Sequence, residues 1–224
     1  MNLTPSDVLS RVDHTLLAPA ASEADIRTLC EEALAFRTAS VCINPKYVSF
    51  AYGILKGCIP VCTVVGFPLG ASTARIKALE AAEAVGNGAA EADMVISIGD
   101  VKDGRFDRIE DEIREVKKAV GPKILKVIVE TCLLTEEEKR RLCHAVLDAG
   151  ADFIKTSTGF STGGATLEDI KLFFEEIGGR LSIKAAGGIK TYEDMVRLIE
   201  AGADRLGSSS AVRIIQKLPA DGQY

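Results

Sequence analysis

The chain has 224 residues, 47% of them hydrophobic and 26% charged, with a net charge of −5 at pH 7 and a sequence pI near 5.2. That is a globular composition with enough apolar residues for a sizeable core. Its acidic balance argues against nucleic acid as a partner, since such binding rests on basic surface. No run approaches the roughly 20 apolar residues of a membrane span, and the N-terminus carries no signal-peptide pattern. A cytoplasmic protein with no membrane partner is therefore expected. Six cysteines (Cys30, Cys42, Cys58, Cys62, Cys132 and Cys143) show no C-x-x-C pairing and are expected to be reduced. His14 and His144 are the only histidines, too few for a histidine-built catalytic zinc site, so no metal is expected.

Taken in order, apolar β-branched runs predict strands over 11–16, 38–43, 61–67, 92–98, 124–130, 152–156, 181–186 and 204–207. Helical stretches fall between them, near 23–36, 45–56, 72–86, 105–120, 135–149, 166–177, 191–201 and 209–217. Several strands are continuously apolar, as parallel strands covered on both faces are. Helix starts are marked by a hydroxyl cap three residues before an acid: Thr4 and Asp7, Ser22 and Asp25, Thr135 and Glu138, Thr166 and Asp169, Thr191 and Asp194. Asn44-Pro45 offers another cap with proline at the first helical position. The turns Gly88-Ala89-Ala90-Glu91-Ala92-Asp93, Ala149-Gly150-Ala151-Asp152 and Ala201-Gly202-Ala203-Asp204 repeat one phrase between helix and strand. Eight βα units of about 28 residues each predict one (β/α)₈ TIM barrel spanning 1–224, with an open doubly wound sheet as the alternative.

The chemistry is expected at the C-terminal ends of the strands. Lys126, Lys155 and Lys184 sit in three successive strands at equal intervals, and lysine is rarely buried without compensation. Alternation along the strands directs Asp93, Val95 and Ser97, Lys126, Ile128 and Glu130, Phe153 and Lys155, and Ser182, Lys184 and Ala186 into one interior. Counted this way, three amines face one carboxylate, so a plain salt bridge leaves positive charge in excess. Two such charges about 5 Å apart at an effective dielectric of about 20 repel by roughly 3 kcal/mol, or about 2 pKa units off a lysine near 10.4. A neutral lysine in a shaped pocket is a nucleophile for carbonyls. Spacing alone does not choose between Lys155 and Lys184. Gly187-Gly188 after the seventh strand and Gly207-Ser208-Ser209-Ser210 after the eighth stand where this fold recurrently binds phosphate.

Seven strand motifs together resemble one family. They are Asp13-His14-Thr15-Leu16-Leu17, Val41-Cys42-Ile43-Asn44-Pro45, Cys62-Thr63-Val64-Val65-Gly66-Phe67-Pro68, Glu91-Ala92-Asp93-Met94-Val95, Lys126-Val127-Ile128-Val129-Glu130-Thr131, Phe153-Ile154-Lys155-Thr156-Ser157-Thr158-Gly159 and Lys184-Ala185-Ala186-Gly187-Gly188. Over about residues 11–210 the chain resembles the deoxyribose-phosphate aldolases, metal-free class I enzymes that need no cofactor. The resemblance implies cleavage of 2-deoxy-D-ribose 5-phosphate to glyceraldehyde 3-phosphate and acetaldehyde. It implies Lys155 as the Schiff-base lysine, with Lys184 and Asp93 handling protons. It places the phosphate at Gly159, Gly187, Gly188, Ser209 and Ser210. Lys126, Cys42 and Thr156 are the further expected substrate contacts, and a homo-oligomer, dimer or tetramer, is the expected assembly. Some members carry a basic residue where this chain has Phe160. Cys42 either packs as a small hydrophobe or opens to the mouth, where unsaturated aldehydes would alkylate it. Proline and glycine in 218–224 read as a frayed tail; the alternative, since some members also end in tyrosine, is that Tyr224 samples a closed pose over the site and helps protonate C2 of the enamine.

Overall fold

The computed structural model describes residues 3–216. The C-terminal segment 218–224, with the expectation placed on Tyr224, lies outside them. Eight strands, β1 (Val12–Leu16), β2 (Ser40–Ile43), β3 (Val61–Val65), β4 (Glu91–Val95), β5 (Ile124–Ile128), β6 (Phe153–Lys155), β7 (Ser182–Ala186) and β8 (Arg205–Ser208), pair in parallel in chain order. The sheet closes where Val12 and Asp13 of β1 meet Leu206 and Gly207 of β8. It is the predicted (β/α)₈ barrel.

Ten helices surround it among the described residues: α1 (Pro5–Leu9), α2 (Glu23–Phe36), α3 (Val48–Leu55), α4 (Ala74–Gly86), α5 (Ile98–Lys102), α6 (Phe106–Val120), α7 (Glu136–Asp148), α8 (Leu167–Ile177), α9 (Tyr192–Glu200) and α10 (Ala211–Ile215). None of them is long and apolar enough to cross a membrane. Four of the five expected capping boxes close with both hydrogen bonds, at α1, α2, α7 and α9. At α8 only the Thr166 half forms, and Asp169 accepts instead from Lys139 Nζ at 2.6 Å. Asn44 does not cap its helix. Its side-chain amide donates to the Leu17 carbonyl at 3.2 Å, and Pro45–Tyr47 forms a 3₁₀ turn ahead of α3.

Outward-facing strand residues such as Val127, Ile154, Ile183 and Leu206 are buried under the helices, each contributing about 1.5–3 kcal/mol of transfer free energy. At two of the three turns that repeat the helix-to-strand phrase the glycine has a steric cause. Gly88 and Gly202 hold φ of +108° and +120°, and a Cβ there would lie 2.6 Å and 2.8 Å from ring atoms of Tyr52 and Phe174. Four strands end earlier than predicted, β3 at Val65, β4 at Val95, β5 at Ile128 and β6 at Lys155. β4 stops because Ile98, read from the pattern as its last residue, opens α5. Ser97 therefore does not share the interior face with Asp93; its amide donates to Glu112 Oε2 at 3.0 Å. β5 stops at Ile128, and Glu130 turns left-handed at φ +57°.

Candidate active site

The barrel interior is charged. Alternation turns Asp93, Lys126, Lys155 and Lys184 inward as expected, and each is at most 3% exposed. Lys155 Nζ donates to Asp93 Oδ2 at 2.8 Å, and Lys184 Nζ donates to the same oxygen at 2.6 Å. Lys126 Nζ donates to Asp93 Oδ1 at 2.8 Å. One carboxylate thus holds all three amines, which arrive from three adjacent strands by register.

Three further ionic residues, which the strand pattern missed, complete the network. Asp13 of β1 accepts from Lys184 and, at 2.5 Å, from Arg205 of β8, while Ser40 Oγ donates to it at 2.8 Å. Glu91 of β4 lies 2.5 Å from Lys126 and 3.3 Å from Arg205. Four cations therefore face three carboxylates among the described residues. Asp13 was legible only as part of a family motif, Glu91 as part of a family motif and of a turn phrase, and Arg205 carried no signal.

These carboxylates reverse part of the electrostatic expectation. Burial by itself would lower the ammonium pKa of Lys126, but Asp13 and Asp93 outweigh it and hold the group well above the ordinary lysine range. Lys184 is likewise raised, burial being overcome by Asp13 and Asp93. Burial would raise the Asp93 and Asp13 carboxyls, yet the surrounding cations, Lys126 foremost, keep both well below the usual carboxylate range. The excess of buried positive charge inferred from three lysines and one aspartate does not lower Lys126 or Lys184.

The amines differ in how they are held. Lys126 has three carboxylates within 3.5 Å, Asp13, Glu91 and Asp93, and Lys184 has two, Asp13 and Asp93. Lys155 has Asp93 alone among the described residues, and at 3% it is the most exposed of the three.

The loops at the strand ends carry the other expected residues. Gly187 (φ +82°) and Gly188 (φ +75°) follow β7, and Ser209 and Ser210 follow β8, whose Gly207 is the register partner of Ala186. A Cβ on Gly187 would meet the Cα atoms of Gly164 at 3.1 Å and Gly159 at 3.4 Å, so three glycines let the β6 and β7 loops close on each other. Thr156 does not face the interior. Its hydroxyl donates to the Ala186 carbonyl and accepts from the Ala186 amide, both at 3.2 Å, tying β6 to β7. Glu130, in its left-handed turn, accepts from the Thr158 hydroxyl at 2.5 Å and from the Thr158 amide at 3.2 Å, which fixes the loop after Lys155. The Phe160 ring packs edge-on against Phe67 at 5.2 Å. Cys42 is 1% exposed, with its thiol beside Cys62 and an apolar wall of Leu17, Val64 and Phe67.

A family model described as "DeoC/LacD family aldolase" matches residues 8–215. The chain belongs to this aldolase family. This aldolase is 54% identical over 209 residues to the deoxyribose-phosphate aldolase of Clostridioides difficile (strain 630), covering 93% of the chain and 95% of the relative. It is 49% identical over 227 residues to the deoxyribose-phosphate aldolase of Carboxydothermus hydrogenoformans, covering 99% of the chain and 100% of the relative. Among solved structures, the tetrameric deoxyribose phosphate aldolase of Aeropyrum pernix superposes with a TM-score of 0.88 at 31% identity, covering 96% of this aldolase and 92% of that chain. An aldolase called QR15 superposes with a TM-score of 0.91 at 40% identity, covering 94% and 95%.

Proposed function

We propose that this aldolase cleaves 2-deoxy-D-ribose 5-phosphate reversibly to D-glyceraldehyde 3-phosphate and acetaldehyde through a Schiff base on Lys155. The observation that carries the choice of lysine is the unequal pairing: Lys126 and Lys184 are anchored by several carboxylates, whereas Lys155 has one among the described residues. The Lys155 amine adds to C1 of the open-chain sugar and water leaves, giving an iminium. Loss of the C3 hydroxyl proton breaks the C2–C3 bond, and the electron pair moves into the iminium to form the enamine of acetaldehyde. Protonation at C2 and hydrolysis return the amine. Lys155 and Lys184 share one oxygen of Asp93, and Asp93 with the Lys184 ammonium supplies the proton-handling pair. Lys126 holds Asp93 in place from its other oxygen.

The sugar phosphate is taken to lie over Gly159, Gly187, Gly188, Ser209 and Ser210. The Ser157 hydroxyl, buried without a hydrogen-bond partner among the described residues and close to Gly187, is available to the bound sugar. Gly188 has room for a Cβ but holds a φ that L side chains rarely adopt. Gly188→Val is accordingly expected to raise KM for the phosphorylated sugar about tenfold or more, an effect of roughly 1.4 kcal/mol. KM for unphosphorylated deoxyribose should change little. Equal losses for both substrates would place the phosphate elsewhere. The same reading takes the chain as one barrel domain acting in the cytoplasm without a cofactor, as a dimer or tetramer.

Borohydride reduction in the presence of acetaldehyde, followed by peptide mapping, tests the central claim. A two-carbon adduct is expected on Lys155. An adduct on Lys184 with Lys155 untouched would refute the assignment, and absence of any adduct would refute the Schiff base.

A further inference from the structure

Two thiols that the aldol chemistry leaves unused lie against its central carboxylate. Cys42 and Cys62 are register partners on β2 and β3, so both side chains leave the sheet on its interior face. Their sulfurs and a carboxylate oxygen of Asp93 all lie within 4.8 Å of one another. Cys62 Sγ is 3.1 Å from Asp93 Oδ1 and 3.2 Å from Lys126 Nζ. All three groups are buried at the heart of the barrel.

We propose that Cys42, Cys62 and Asp93 form a binding site for a soft divalent cation of the zinc and cadmium class, and that filling it draws the Asp93 charge away from the lysines that share it. Two thiolates and a carboxylate are a ligand set that such ions favour over hard cations, with a fourth position left for water. Bonds of about 2.3 Å to sulfur and about 2.1 Å to oxygen bring tetrahedral ligand atoms to roughly 3.5–3.8 Å from one another. The present separations need close by only about 1 Å, within the reach of side-chain rotation. Charge balances as well. Each thiol gives up its proton to solvent as the cation binds, so two protons leave for one divalent ion and the net charge among the lysines is unchanged.

The displaced amines fare unequally. Lys126, which shares Asp93 Oδ1 with Cys62, keeps Asp13 and Glu91, and Lys184 keeps Asp13, whereas Lys155 has among the described residues only Asp93 Oδ2, whose charge the cation then shares. The cation and the iminium thus compete for the charge of one carboxylate. The site rests on the geometry alone, and its consequence for turnover rests on the proposed role of Lys155.

Cadmium is the probe, because its thiolate complexes absorb in the ultraviolet. The two exposed thiols, Cys58 and Cys132, are first replaced by serine in the full chain to silence the surface. One cadmium per chain is expected, with the absorbance of two thiolates and release of two protons. Borohydride trapping of acetaldehyde at Lys155 should fall at least tenfold at saturation and return on chelation. Cys42→Ser and Cys62→Ser should each lose half or more of the band and bind about 100-fold more weakly. Because either variant can lose its fold, the parent protein is also titrated after reductive fixing of acetaldehyde on Lys155, where weaker binding is expected. A band undiminished in both serine variants overturns the site. A full band with undiminished trapping overturns its hold on Lys155. Failure of trapping before any cadmium is added counts against the Schiff-base reading and not against the metal site.

Discussion

Lys184→Leu is expected to lower aldol turnover by about 10²–10⁴-fold, the usual worth of a positioned proton donor, and to weaken the fold at the same time. The two losses have one origin. Lys184 Nζ bridges Asp13 and Asp93, the carboxylates from β1 and β4, across the centre of the barrel. Leucine of similar volume fills the space but leaves both carboxylates one cation short in a buried setting, a kind of change that costs about 3–5 kcal/mol. At about 2–4 °C of melting temperature per kcal/mol for a chain of this size, the midpoint should fall by roughly 6–20 °C. Schiff-base trapping at Lys155 separates chemistry from stability. Below the new melting point, acetaldehyde should still be fixed on Lys155 while kcat for cleavage stays low. Turnover within tenfold of the parent would remove Lys184 from the reaction.

Asp13→Asn should cost stability as heavily, although Asp13 stood out in the sequence only as part of a family motif. Its two oxygens serve Lys184 and Arg205, with Lys126 3.5 Å away, so the variant leaves three cations around a neutral amide. A loss of about 3–5 kcal/mol is expected in urea unfolding. The pH dependence identifies the cause. The Asp13 and Asp93 pKa values are lower in the folded protein than in the unfolded chain, so their stabilisation is complete above the unfolded carboxylate pKa of about 3.9 and fades as pH falls through the folded values. The Lys126 and Lys184 pKa values are higher in the folded protein, so their stabilisation is complete below the unfolded lysine pKa of about 10.4 and fades as pH rises through the folded values. The parent should therefore show a stability plateau between roughly pH 4 and pH 10 with losses on both sides. In Asp13→Asn the acid limb should flatten, because one of the two carboxylates whose protonation drives it is gone. An acid limb as steep as the parent's would assign the loss to packing.

The sequence by itself determined the alternation of strands and helices, the number of βα units and the inward direction of Asp93, Lys126, Lys155 and Lys184. Those features are local: strand parity decides the face a residue takes, and capping residues and glycines mark where each element starts and stops. Where local signals competed, the reading slipped, as at Ile98, whose apolar side chain suits a strand but opens α5. The Thr156 hydroxyl gave no local sign of its partner, the Ala186 backbone of the neighbouring strand. Only the closed barrel decided how the lysines are compensated. Arg205 reaches Asp13 because β8 pairs with β1, joining the two ends of the chain, and Glu91 reaches Lys126 because β4 pairs with β5. Whether a buried amine is surplus or anchored depends on every charge within a few ångströms, and those charges come from strands up to 192 positions apart in sequence. Strand parity can aim a lysine at the axis of a barrel; only closure places the carboxylates that hold its proton.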